Sequence, residues 1–116
     1  MKTFIDLFTS PTCPYCPGAK AVTDKVVGEL NAKGEELVLS EFDISTAAGM
    51  AKAREYGVTH VPDIVIYVGS GRKVSIEGAP KQASLERAIE MAQGKVNAVE
   101  KKERGFLSKL GSALGL

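Results

Sequence analysis

Residues 9–17 read Thr-Ser-Pro-Thr-Cys-Pro-Tyr-Cys-Pro and contain both cysteines of the 116-residue chain. An apolar run suited to a β-strand precedes them, and a helix-like pattern follows them. Two residues between cysteines at a strand-to-helix junction are typical of a thiol–disulfide redox pair, because both sulfurs can then reach bonding distance across one turn. This stretch therefore predicts the local fold and the chemistry together.

The two cysteines are expected to differ in reactivity. Cys13 comes first, where unpaired N–H groups and the positive end of the helix dipole favour a thiolate. A partly buried helix end contributes up to about 2 kcal/mol, and one pKa unit is about 1.4 kcal/mol, so the pKa of Cys13 is expected to fall from about 8.5 to roughly 7. No basic residue between Phe8 and Gly18 is needed, and the sequence has none there. We assign Cys13 as the attacking thiolate and Cys16 as the resolving thiol.

Three other interpretations of the cysteines stay open on the residues alone. A permanent structural disulfide would close a very small loop and stabilise the fold little. A tetrahedral zinc site needs four ligands, and two Cys with one His would have to be completed by a second subunit. The cysteines could also be inert positions on a helix.

The net charge and the lengths of the apolar runs argue against several classes of protein. With 15 Lys and Arg against 14 Asp and Glu, the net charge of +1 argues against a dedicated nucleic-acid binder. No stretch approaches the roughly 20 apolar residues of a membrane span, and Asp6 interrupts the short N-terminal apolar run, so no signal peptide is expected. We therefore expect a cytoplasmic protein, where a reversible dithiol is favoured over a fixed bridge. No metal, flavin or nucleotide cofactor is implied.

Hydrophobic periodicity predicts an α/β domain in the order βαβ, α, ββα. A right-handed crossover makes the first two strands parallel, so the expected architecture is a four-stranded mixed sheet with helices on both faces. The expected strands are residues 2–8, 36–43, 63–68 and 72–77, and the expected helices are 14–32, 47–54 and one after Pro80. Ser45 or Thr46 is expected to cap the second helix, and Gly34 and Gly57 are expected to end the first two.

The C-terminal end differs from the rest of the chain, so we expect a domain at 1–99 and a tail at 100–116. Four apolar residues of the tail fall on one helical face behind a basic cluster: Phe106, Leu107, Leu110 and Leu114. This face could pack on its own domain, dock to a partner or a second copy, or lie on an anionic membrane surface. Three glycines in the tail weaken any isolated helix, so plain disorder stays open as well.

Two motifs, in this order, resemble those of the thioredoxin/glutaredoxin superfamily over residues 2–98. Cys13-Pro14-Tyr15-Cys16 has the glutaredoxin form of the redox motif, and Tyr56-Gly57-Val58-Thr59-His60-Val61-Pro62 looks like the loop that carries a cis-proline in this superfamily. Gly78 matches a glycine that is common after the hairpin. The short form with Thr-Ser-Pro-Thr before the motif is similar to small archaeal and bacterial redoxins.

The resemblance implies a thioredoxin-like fold and a thiol–disulfide oxidoreductase. It implies that Val61-Pro62 is cis beside the cysteine pair, and that the Val61 backbone pairs with a bound substrate strand. The expected partners are disulfide-containing proteins as substrates and a reductase or a low-molecular-weight thiol as electron donor.

The sequence differs from glutaredoxins at the positions that bind glutathione in that family. A basic residue before the motif and a Gly-Gly-x-Asp-like segment are replaced by Thr9-Ser10-Pro11-Thr12 and Gly78-Ala79-Pro80-Lys81. Lys81 could receive a carboxylate or be a solvated helix-start lysine. Thioredoxin-like reduction of protein disulfides is therefore expected, with a glutathione-dependent glutaredoxin or a non-catalytic adaptor docking through the tail as alternatives.

Five further residues are candidates around the dithiol. Pro14 and Tyr15, inside the motif, are expected to tune access to Cys13 and contact partners. Asp6 resembles a buried acid that moves the resolving thiol's proton in thioredoxins, although the offset is one residue longer; a solvated carboxylate is the alternative. Asp63 could raise the thiol pKa or select basic substrates. His60 is a surface loop residue, a proton donor or a metal ligand.

Overall fold

Three helices and four strands make up the computed structural model, which describes residues 2–69 and 73–95. In chain order they are β1 (Thr3–Thr9), α1 (Cys16–Ala32), β2 (Leu37–Asp43), α2 (Ala47–Tyr56), β3 (Asp63–Tyr67), β4 (Val74–Glu77) and α3 (Gln82–Ala92). The order and type of all seven elements agree with the prediction.

The strands form one mixed sheet in the order β2-β1-β3-β4. β1 pairs with β2 in parallel and with β3 in antiparallel orientation, and β3 and β4 form an antiparallel pair. The central position of β1 explains its apolar sequence, because both its edges are paired and both its faces are covered. Thr9, at its carboxyl end, leads directly to the cysteines.

Strand alternation divides the core into two layers. Ile5 and Leu7 of β1 pack on the side of α1 and α3, where the larger apolar cluster lies. Phe8 points to the opposite side, with Val65 of β3 and Ala53 of α2. Successive side chains of a strand face opposite sides of the sheet, so each position of β1 belongs to one layer or the other.

The connection from β2 to α2 follows the predicted capping signals. The Thr46 side chain accepts a hydrogen bond from the Gly49 N–H at 3.0 Å, as an N-cap residue does. Gly57 ends α2 in the left-handed conformation, with φ of 74°. The helix extends to Tyr56 and therefore ends at Gly57, as predicted.

Some predictions fall outside the described residues. These are residue 72, which was the expected start of the fourth strand, residues 96–99 of the expected domain, and the tail at 100–116.

Candidate active site

A disulfide joins Cys13 and Cys16, whose Cα atoms are 5.5 Å apart. This separation lies within the range that protein disulfides adopt. The loop before the bridge is a tight turn in which the Cys13 N–H donates to the Ser10 carbonyl at 3.1 Å. The Thr12 N–H also donates to the Ser10 hydroxyl at 3.3 Å. The Cys-x-x-Cys spacing thus brings the two sulfurs together as the sequence predicted.

The predicted start of the first helix is wrong by two residues. α1 begins at Cys16, with Tyr15 as the N-cap, rather than at Pro14. Pro17 has no N–H to donate to the Cys13 carbonyl, and the Ala19 N–H instead donates to the Tyr15 carbonyl at 3.1 Å. Cys13 therefore lies ahead of the helix, and Cys16 is its first residue.

The two cysteines differ in exposure. Cys16 is 5 % exposed and belongs to the buried residues, whereas Cys13 is only half-buried. Between them, Tyr15 is 69 % exposed, and Pro14 is also exposed. An incoming disulfide can therefore reach Cys13 more readily than Cys16, past an aromatic ring that lies at the surface.

The cis-proline loop lies at the same end of the sheet. The Val61–Pro62 peptide bond is cis, as the resemblance implied, and Pro62 is buried. Asp63 pairs with Phe8 at the end of β1 that leads to the cysteines. The Gly78 N–H donates to the Pro62 carbonyl at 2.7 Å, and Gly78 has a φ of 87°, which glycine adopts without strain.

Asp6 lies within the protein, on the α2 side of the sheet. Its side chain is among the buried polar groups, 4 % exposed, and its Oδ2 accepts a hydrogen bond from the Tyr67 hydroxyl at 3.3 Å. The Tyr56 hydroxyl donates to that of Tyr67 at 3.3 Å. Burial raises the pKa of Asp6, while the two tyrosine hydroxyls act in the opposite direction. The structure places this carboxyl in a tyrosine cluster, with α1 on the other side of the sheet.

Asp63 and His60 flank the cis-proline. Asp63 is buried, and its Oδ1 accepts a hydrogen bond from the Ser75 hydroxyl at 2.9 Å. Burial raises the pKa of Asp63. His60 is exposed, and its Nδ1 lies 3.0 Å from the Thr59 hydroxyl oxygen. Of these two residues, only His60 presents its side chain to solvent beside the loop.

Sequence reasoning missed a groove beside the disulfide, which we call the dithiol groove. It has a volume of about 400 Å³. Its lining comes from the loop, the start of α1 and the end of β2: Thr9, Ser10, Pro11, Cys13, Cys16, Pro17, Lys20, Glu41 and Asp43. Lys20 could have been found from sequence, because a residue four positions after Cys16 lies on the same helix face. Glu41 could not, since its place depends on how β2 pairs with β1.

Two ion pairs hold the lysine of this groove. The Lys20 Nζ lies 3.4 Å from Glu41 Oε1 and 3.3 Å from Asp24 Oδ2. The Thr9 hydroxyl donates to the other oxygen of Glu41 at 3.1 Å. Hydrogen bonds and charge from Asp24 and Glu41 raise the pKa of Lys20, so it carries a positive charge at neutral pH.

Across residues 2–69 and 73–95, the structure contains no group of three or more His, Cys, Asp or Glu side chains arranged to hold a metal ion. No helix in the same part of the chain has the length and apolar character needed to cross a membrane.

Comparisons with known proteins agree with this geometry. The thioredoxin domain family model matches residues 3–90. A thioredoxin of Methanocaldococcus jannaschii is 41% identical over 88 residues, which are 76% of this chain and 93% of that protein. A probable thioredoxin of Archaeoglobus fulgidus is 38% identical over 88 residues, covering 76% and 87%. The solved structure of Fasciola hepatica thioredoxin is similar in fold, with a TM-score of 0.64 and 20% identity, over 78% of this chain and 81% of that one.

Proposed function

The chain belongs to the thioredoxin family and is a thiol–disulfide oxidoreductase, and we propose that Cys13 is its nucleophile and Cys16 its resolving thiol. The observation that carries this assignment is the difference in exposure within one bonded pair. Cys16 is almost fully buried, whereas Cys13 is half-buried at the surface. A substrate disulfide meets Cys13 first, because thiol–disulfide exchange requires direct access of the attacking sulfur.

The reaction runs in two exchange steps. The Cys13 thiolate attacks one sulfur of the substrate disulfide, and the other substrate sulfur leaves as a thiolate and takes up a proton. Cys16 then loses its proton and attacks Cys13, which releases the second substrate thiol and forms the Cys13–Cys16 disulfide. Two electrons pass to the substrate, and its disulfide becomes two thiols.

The cis-proline loop is the proposed binding element for the substrate backbone. Val61 precedes Pro62 at the dithiol end of the sheet and is half-buried. A substrate strand that pairs with the Val61 backbone would gain affinity from main-chain hydrogen bonds and leave side chains to set selectivity. Tyr15 and His60, which are both exposed, are the side chains proposed to contact such a strand.

The electron donor is proposed to be a reductase or a low-molecular-weight thiol. Family membership supports protein disulfides as substrates and a reductase as a partner in general. A reducing compartment such as the cytoplasm suits a dithiol that must be restored after each turnover. Docking of the tail at 100–116 to a partner, a membrane surface or its own domain stays a prediction.

Reduction of insulin disulfides tests the proposed roles. The wild-type protein is expected to reduce insulin, and Cys13→Ser is expected to abolish the activity. Cys16→Ser should instead accumulate a mixed disulfide through Cys13, visible by mass spectrometry, because the resolving step is lost.

The same variants separate the alternatives. Turnover with Cys13→Ser equal to that of an active wild type would contradict the nucleophile assignment. Insulin reduction no faster than the uncatalysed rate in both proteins would favour the adaptor interpretation. Cys16→Ser could instead remove glutathione from a glutathionylated peptide at the wild-type rate. That result would favour glutathione-dependent chemistry, which needs only one cysteine.

A further inference from the structure

The dithiol groove places an ion pair beside the two sulfurs. Lys20 and Glu41 line the same space of about 400 Å³ as Cys13 and Cys16. Because the Debye length at physiological ionic strength is ~8 Å, charged groups that line one small groove act on one another with only partial screening. The mechanism above does not use the charges of Lys20 and Glu41.

Two elements fix the positions of these charges. Lys20 follows Cys16 by four residues in α1, so both occupy one face of the helix. Glu41 shares the strand face of Leu37 and Leu39, which pack on the α1 side of the sheet. The Thr9 hydroxyl binds one oxygen of Glu41 and the Lys20 ammonium binds the other. Because Asp24 also pairs with Lys20, at 3.3 Å, the lysine does not depend on Glu41 alone for its position.

On the premise that the Cys13–Cys16 pair is the redox centre, we propose that Lys20 is a positioning residue that tunes its reduction potential. The ammonium stabilises the thiolate of the reduced form and has no comparable effect on the uncharged disulfide. It therefore favours the dithiol and raises the potential. The negative charge of Glu41 acts against the thiolate, with a sign opposite to that of Lys20.

Two further charged groups, one beside Lys20 and one in the groove lining, form a constant background. Asp24 of α1 pairs with Lys20 at 3.3 Å. Asp43 of β2 accepts hydrogen bonds from the N–H and hydroxyl of Ser45 at 2.8 and 2.7 Å, which lower its pKa, so it stays ionised at neutral pH. β1 contributes only the neutral Thr9 hydroxyl. Asp6 and Asp63 belong to the opposite face of the sheet.

Opposite signs follow for the two members of the pair. Lys20→Met should reduce the thiolate fraction and lower the potential, whereas Glu41→Gln should increase the fraction and raise the potential. Both side chains are about half exposed, at 49% and 42%, so we expect about a threefold change in each equilibrium, as for one partly screened charge. Threefold corresponds to about 14 mV for a two-electron couple.

The experiment measures the potential of the full chain by equilibration with dithiothreitol and the thiolate fraction by alkylation of the reduced protein across pH. Lys25→Met is the matched control. Lys25 is exposed on α1 and lies outside the groove lining, so the substitution removes the same charge at a distance from the groove. Lys20→Arg should keep the wild-type values, since it keeps the charge.

The proposal is supported if Lys20→Met and Glu41→Gln shift the two readouts in opposite directions while Lys25→Met does not. Shifts of the same sign, or shifts no larger than the control's, would overturn it. Insulin reduction by each variant is recorded in parallel. If insulin reduction depends on Cys13 but the potential does not change in Lys20→Met, the proposed tuning is wrong and the oxidoreductase mechanism stands. If insulin reduction does not depend on Cys13, the mechanism itself is wrong.

Discussion

The two faces of the sheet differ in how far they expose charged side chains to solvent. On the α1 side, Lys20 and Glu41 lie in an open groove and remain about half exposed. On the α2 side, Asp6 and Asp63 are buried and bonded to hydroxyl groups. We therefore expect the open side to change the chemistry of the sulfurs and the closed side to contribute to packing and stability. The difference depends on strand alternation, which sends neighbouring residues to opposite layers.

This comparison predicts that changes on the two sides affect different properties. Substitutions on the α2 side should change the free energy of unfolding and leave the redox potential in place. Substitutions in the dithiol groove should change the potential with little loss of stability, because exposed ion pairs contribute only about 0–1 kcal/mol.

The largest expected effect on the α2 side is that of Phe8→Ala. Phe8 is fully buried, stacks on Phe42 with ring centroids 5.4 Å apart and meets the edge of Tyr56 at 6.0 Å. Removal of the ring is expected to cost about 3–5 kcal/mol of unfolding free energy, because the cavity it leaves cannot close fully. Urea unfolding measures the loss, and the potential of the folded variant should equal that of wild type.

Phe8→Leu keeps this prediction testable if the alanine variant does not fold. It fills most of the space and should cost less. A Phe8 variant that keeps its stability, or that shifts the potential as far as Lys20→Met does, would contradict the division between the two sides.

Asp6→Asn has a smaller expected effect, and it depends on pH. Burial raises the pKa of Asp6 in the folded protein, so the unfolded chain loses this proton at lower pH. The unfolding free energy of the wild type therefore falls as pH rises from the unfolded-state pKa of about 4 to the raised pKa of the folded state. Above the raised pKa, this loss of stability no longer changes with pH. Asn keeps an acceptor for the Tyr67 hydroxyl and removes the charge.

Urea unfolding of Asp6→Asn and wild type across pH 3.5 to 7.5 checks this sign. The variant should gain stability relative to wild type as pH rises, and Glu90→Gln, an exposed change on α3, should show no such gain. A stability difference that stays flat with pH would show that the Asp6 carboxyl is ionised without penalty in the folded state.

The sequence was sufficient for most of the fold because its local signals agree with one another. Alternating and helical patterns predicted all seven elements, and Thr46 and Gly57 bound α2 as expected. The start of α1 was misplaced because two prolines in the motif suggested a first turn at Pro14, whereas hydrogen bonding begins beyond Pro17.

The candidate site could be predicted only where its residues are close in sequence. The spacing of Cys13 and Cys16 predicts a bond between them, and the bond is present. The approach of Glu41 to Lys20 requires the register in which Glu41 pairs with Leu7 of β1. The face on which Asp6 lies depends on the same alternation, and a single-residue offset is enough to reverse it.

The central claim is that Cys13 is the reactive thiolate and Cys16 a protected thiol. Alkylation of the fully reduced chain across pH, with the modified cysteine mapped by mass spectrometry, tests it most directly. We predict that Cys13 reacts first, with a midpoint below the value of about 8.5 of a free cysteine. Equal modification of both cysteines, with midpoints above pH 8, would contradict the account.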